Sequence, residues 1–269
     1  MIFYSVIQPI YFLLPLVGFS IGMLGSMLGG GGGFFFLPML TLVLNVPAQT
    51  AVATSLVATL PICIAGTVSH YYKRNVNLQI AALFALSGIV GSFVGTGIVN
   101  LMDTYQLRLA FGIYSVLMAT QIAVKTWKEK MYHEAEKMPS RSLGSLGILK
   151  GSFFGLIAGV ITGAFGTSGT APVLAGLFSM RLPLKVVIGT SLFIVLINTA
   201  TATGAHFMIG KIDLTLIGFL TIGSVFGALI GPRVLSAFNV TRKESRLKYG
   251  YALGMLAVGI LMIINSLNI

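Results

Sequence analysis

The chain has 269 residues, 56% of them apolar and 9% charged, with a net charge of +11 and a mean hydropathy of +0.95. A soluble domain carries about 25% charged residues; this composition cannot cover a water-facing globule, so the solvent is lipid, and a soluble catalytic domain or a nucleic-acid binder is excluded. Cys63 is the only cysteine, which rules out an internal disulfide and a multi-cysteine metal site, and no Lys or Arg precedes Lys73, so no cleavable signal peptide of the usual kind is expected.

In chain order, the first apolar segment covers residues 9–28 and ends on five glycines, Gly29 to Gly33. A short segment, 34–44, follows, then three longer ones at 50–72, 78–101 and 106–127. After a polar centre the pattern returns. Residues 146–165 lead into Gly166-Thr167-Ser168-Gly169-Thr170, and 171–180 is short. Three longer segments at 186–208, 214–235 and 249–266 complete it. The longer segments approach the roughly 20 residues that a spanning helix needs; the two short ones do not.

The halves match residue by residue. Gly25, Gly29 and Pro38 recur 134 residues later as Gly159, Gly163 and Pro172. Pro47, Thr54-Ser55-Leu56, His70, Gly91 and Gly95 recur after 136 as Pro183, Thr190-Ser191-Leu192, His206, Gly227 and Gly231. The expected architecture is an all-α polytopic membrane protein of two repeats, 1–127 and 146–269, around a basic cytoplasmic loop, 128–145. Each repeat is a glycine-tipped hairpin, long helix plus short helix, followed by three spanning helices. With the central loop in the cytoplasm, 15 of the 17 basic residues fall inside and only Arg108 and Lys211 outside, as the positive-inside rule requires. Each hairpin must then enter and leave on one side, the two halves have inverted topology, and both termini lie outside. That is a plan of secondary transporters. The acidic residues all fall in or beside expected loops, so no carboxylate is expected within the membrane.

Two hairpins entering from opposite faces bring their tips together near the midplane. Pro38 and Pro172 are expected in the first turn of the short arms, which puts helix N-termini, with free N–H groups and a positive dipole end, at the tips. The expected substrate-binding residues are Gly30, Gly31, Gly32 and Gly33 on one side and Gly166, Thr167, Ser168, Gly169 and Thr170 on the other. The repeated Thr54, Ser55, Thr190 and Ser191 and the mid-span Asn198 either line the same pocket or bond neighbouring helices. His70 and His206 are gate or proton-relay candidates, or else interfacial histidines bonded to backbone. Glycines at every fourth position, Gly151 to Gly163 and Gly223 to Gly231, read as helix-packing surfaces.

The motifs Gly22-x-x-Gly25-x-x-x-Gly29-Gly-Gly-Gly-Gly33 with Pro38 and Thr54-Ser55-Leu56, and Gly159-x-x-x-Gly163-x-x-Gly166-x-x-Gly169 with Pro172 and Gly189-Thr190-Ser191-Leu192, resemble the sulfite exporter TauE/SafE family over residues 15–267. The resemblance implies a multi-pass transporter of about eight helices in the inner membrane of a prokaryote. It also implies small sulfur-containing anions as substrates: sulfite, sulfoacetate or related organosulfonates. A site of neutral donors agrees with such a ligand, because a desolvated anion needs its oxygens hydrogen-bonded. An anion channel on the same scaffold, or transport of another small anion such as a carboxylate, remains as an alternative. An enzyme is not expected: there is no His-Glu-x-x-His and no nucleotide-binding P-loop. The expected partners are a small anionic substrate and the lipid bilayer. Nucleic acid, nucleotide, cofactor and metal are not expected, and a homo-oligomer is left open.

Overall fold

The computed structural model describes residues 2–28, 32–131, 145–180, 182–209, 211–237 and 240–267. Among them, ten α-helices carry the chain: α1 Leu14–Leu28, entered through a 3-10 turn at Pro9–Leu13, α2 Gly33–Pro38, α3 Ala48–Tyr72, α4 Leu78–Asn100, α5 Thr104–Met131, α6 Ser145–Phe165, α7 Thr170–Ser179, α8 Leu184–Ile209, α9 Leu214–Ala237 and α10 Val240–Leu267. Eight stretches are long and apolar enough to cross a membrane, and the arms Gly33–Val43 and Thr170–Ser179 are shorter. The protein is therefore a multi-pass, all-α integral membrane protein. One two-residue parallel bridge joins Ile2–Phe3 to Ile212–Asp213.

Helix boundaries follow local chemistry. The Asn77 side chain accepts the N–H of Ile80 at 3.1 Å and starts α4. At the equivalent position, 136 residues on, the Asp213 carboxylate accepts the N–H groups of Thr215 at 3.0 Å and Leu216 at 3.4 Å and starts α9. Such caps satisfy N–H groups that a helix start leaves open. Asp213 is buried, contrary to the expectation that no carboxylate lies inside; its charge is accommodated because it sits on a helix N-terminus. Pro38 also departs from expectation. The left-handed turn at Gly32 (φ 73°) sends the chain into α2 at Gly33, so Pro38 ends the helix instead of lying in its first turn. Proline cannot donate to the preceding turn, and the chain continues as a π-helical turn over Met39–Val43. Pro172 does lie in the first turn of α7.

The described residues form two compact units that run across the sequence halves: Met1–Leu101 with Ser140–Arg233, and Met102–Pro139 with Val234–Ile269. In the smaller unit α5 and α10 pack antiparallel. Arg108 donates to Asn265 at 2.8 Å, Ser115 donates to the Met255 carbonyl, and a Cβ on Gly259 would lie 2.9 Å from the Gly112 carbonyl oxygen.

In the larger unit two parallel pairs are packed backbone to backbone. On α4 and α6, a Cβ added to Gly159 would lie 2.9 Å from Gly88 Cα, one on Gly155 2.9 Å from Phe84 Cα, and one on Gly163 2.8 Å from Thr96 N. On α1 and α9, a Cβ on Gly223 would reach within 2.8 Å of Pro15 Cα and one on Gly227 within 2.8 Å of Met23 N. The four-residue glycine series are thus packing surfaces of the small-residue kind. Helices α3 and α8 run antiparallel. The Asp213 N–H, just past the end of α8, donates to Thr54 near the start of α3 at 3.4 Å. The Asn77 N–H, just past the end of α3, donates to Thr190 near the start of α8 at 3.0 Å.

Candidate functional site

The two glycine tips meet. A Cβ on Gly33 would lie 2.7 Å from Thr59 Oγ1 on α3, 3.1 Å from the Gly166 carbonyl oxygen and 3.4 Å from Ser168 N. Only a residue without a side chain lets the strands of the two tips approach this closely. Gly166 (φ 62°) and Gly169 (φ 52°) take left-handed conformations that turn the chain from α6 into α7. On α3, Ser55 Oγ shares its proton between the Val52 carbonyl at 2.8 Å and the Gly166 carbonyl at 3.0 Å, which ties the second tip to that helix. Thr170 Oγ1 donates to Ser168 Oγ at 2.9 Å. Thr167 is 2% exposed, and its hydroxyl has no hydrogen-bond partner. A buried hydroxyl left unpaired is unfavourable, and this one sits beside the start of α7, where helix N–H groups and the positive dipole end gather.

Of the residues singled out by sequence, the structure thus joins Gly32, Gly33, Ser55 and Gly166 to Thr170. Gly30 and Gly31 lie outside the described residues. Thr54 and Thr190 are buried and hold the connections before α9 and α4 through the bonds given above. Ser191 is buried on α8. Asn198 is fully buried against Gly88 of α4; its main-chain carbonyl accepts from Ser92 Oγ at 3.2 Å, while neither amide atom of its side chain has a partner. His206 Nε2 lies 2.9 Å from the Gly163 carbonyl, three residues before the second tip. His70 packs beside Gly189, whose Cβ position is 3.0 Å from His70 Cβ, at the end of α3 away from the tips. Sequence reasoning missed Thr59. It lies four residues beyond Ser55 on the same helix face, and its Oγ1 donates to the Ser55 carbonyl at 2.7 Å; that spacing was the available signal.

Among the described residues no three His, Cys, Asp or Glu side chains are grouped to hold a metal ion. Donors at the tips are hydroxyls and backbone N–H groups, a set that suits an anion.

Comparison with known proteins decides the family. The model described as "Sulfite exporter TauE/SafE" matches residues 14–262. The chain belongs to the sulfite exporter TauE/SafE family. TauE/SafE relatives lie in bacteria and archaea. The "Probable membrane transporter protein YdhB" of Bacillus subtilis is 27% identical over 82% of this chain and 89% of its own length. A Methanocaldococcus jannaschii protein, also called "Probable membrane transporter protein", is 25% identical over 93% of this chain and 95% of its own. A Xylella fastidiosa protein so called is 28% identical over 93% and 92%. These relatives are named transporters and not enzymes, in agreement with the non-enzymatic reading. No solved structure matches the chain.

Proposed function

We propose that this TauE/SafE protein is a secondary transporter that exports a small sulfur-containing anion, sulfite, sulfoacetate or a related organosulfonate, by alternating access. The observation that carries the reading is the meeting of the two tips around a buried, partnerless Thr167 hydroxyl at the start of α7. Two hairpins that meet tip to tip offer a site reachable from either side by small movements of one hairpin against the other. Expelling an anion from a negative interior is downhill by about 2.3 kcal/mol per charge per 100 mV, so no nucleotide is required.

Inverted topology is supported by helix direction. Antiparallel α3 and α8 are expected if α6 with α7 returns the chain to the side it came from, and the same fold-back by α1 with α2 gives the inverted repeat. The protein then sits in the inner membrane of a prokaryote with the central loop in the cytoplasm and both termini outside. With Cys63 replaced by alanine, single cysteines at Lys73 and Lys185 should react with an impermeant thiol reagent only from the cytoplasmic side, and those at Asp103 and Lys211 only from outside. Reaction of Lys73 and Lys211 positions from one side would overturn the topology.

Counterflow separates a transporter from a channel. Vesicles holding purified protein and labelled sulfoacetate should release label faster when unlabelled sulfoacetate is added outside, with saturation and without ATP. Release that never saturates and ignores external substrate would establish the channel instead; strict ATP dependence would reject both.

A further inference from the structure

Three buried threonines differ from the other threonines of this fold. In Thr41, Thr59, Thr162 and Thr201 the hydroxyl donates to the carbonyl four residues earlier, at 2.7 to 2.9 Å, the usual resort of threonine in an apolar helix. Thr199 and Thr203 of α8 and Thr167 of the second tip do not: each is buried, and each hydroxyl is without a partner.

Helical spacing places Leu192, Thr199, Thr203 and His206 on one stripe of α8. Its two ends are fixed by contact. Leu192 Cδ1 lies 3.0 Å from the Cβ position of Gly66 on α3. His206 Nε2 lies 2.9 Å from the Gly163 carbonyl at the end of α6. Thr203, one turn before His206, is therefore level with the second tip, three residues beyond Gly163. Thr199, one turn further along an α8 antiparallel to α3, is level with the Ser55–Thr59 stretch that grips the tips.

We infer that Thr167, Thr199 and Thr203 form a three-hydroxyl cradle at the second tip that holds the three oxygens of a sulfonate or of sulfite. The inference rests on the anion-transport reading and gives its site a basis for selection. A sulfonate or sulfite presents three acceptor oxygens on one face and satisfies all three hydroxyls. A carboxylate has two oxygens and leaves one buried hydroxyl unpaired, and a site that leaves a buried polar group unpaired discriminates strongly. The equivalents of Thr167, Thr199 and Thr203 in the first repeat are Gly33, Cys63 and Thr67. The cradle therefore belongs to the second repeat, and one anion is bound per chain.

The test is calorimetric binding of methanesulfonate, sulfoacetate and acetate to the detergent-purified full chain, its Thr167→Val, Thr199→Val and Thr203→Val variants, and Thr170→Asp. Each valine variant should bind methanesulfonate about tenfold more weakly and acetate within about twofold of the parent. Without ligand it should melt no lower than the parent, because the hydroxyl removed had no partner. Valine variants that bind both sulfonates like the parent overturn the cradle; if Thr170→Asp still loses binding, the tip site itself survives. Valine variants that melt lower and lose all probes equally show structural hydroxyls, and also overturn it. A parent that binds none of the probes overturns the cradle and the anion reading together.

Discussion

A Thr170→Asp variant is expected to bind sulfoacetate a hundredfold or more weakly than the parent while melting no lower. Thr170 is the first residue of α7, preceded by the left-handed Gly169. A carboxylate in the first turn of a helix interacts favourably with its open N–H groups and dipole, so the fold gains if anything. The same carboxylate occupies the electrostatic seat that a bound anion would use. Two like charges about 4 Å apart at a partly screened site repel by about 4 kcal/mol, more than enough for the loss expected. Calorimetry of the variant beside the parent reads the affinity, and a thermal melt reads the fold. Ser168→Ala, which removes one tip donor and leaves the backbone free, should weaken binding about tenfold in the same assay.

The second large effect concerns the fold. Gly159→Val should lower stability by roughly 3 kcal/mol or more, the upper range for overpacking, because its Cβ would meet the main chain of Gly88 and not a side chain that can turn aside. Gly88 cannot retreat freely, since Asn198 of α8 packs against its other side. Loss of the monodisperse peak on gel filtration, or a marked fall in melting temperature, is the expected outcome. Gly97→Ala on α4 and Gly204→Ala on α8 are the matched controls. Nothing lies within 4 Å of a Cβ at either position, so helix propensity should leave stability unchanged or raise it by up to about 1 kcal/mol.

The spans were legible because lipid demands long uninterrupted apolar runs, and the ends of α4, α8 and α9 fall within a residue or two of the sequence expectation. The glycine series were legible because close helix contact needs a repeat of four. Other features depend on which helices become neighbours, and one sequence does not carry that. Asp213 reads as a loop residue until it is aligned with Asn77, its partner 136 residues earlier, which also starts a helix. Pro38 was misplaced because the left-handed turn at Gly32 starts α2 earlier than proline preference suggests. Thr54 and Thr190 were grouped with Ser55 and Ser191 as pocket lining, yet their hydroxyls accept from backbone N–H groups beyond the opposite helix. That contact exists only because α3 and α8 run antiparallel.

Efflux measured side by side for the parent and Thr170→Asp tests the central claim most directly. Each protein is placed in vesicles loaded with labelled sulfoacetate, with an inside-negative potential and no nucleotide. The parent should release label saturably, faster as the potential grows if net negative charge moves, and Thr170→Asp should release it no faster than protein-free vesicles. Equal release from parent and variant, or no release above the protein-free rate from a folded parent, would contradict the account.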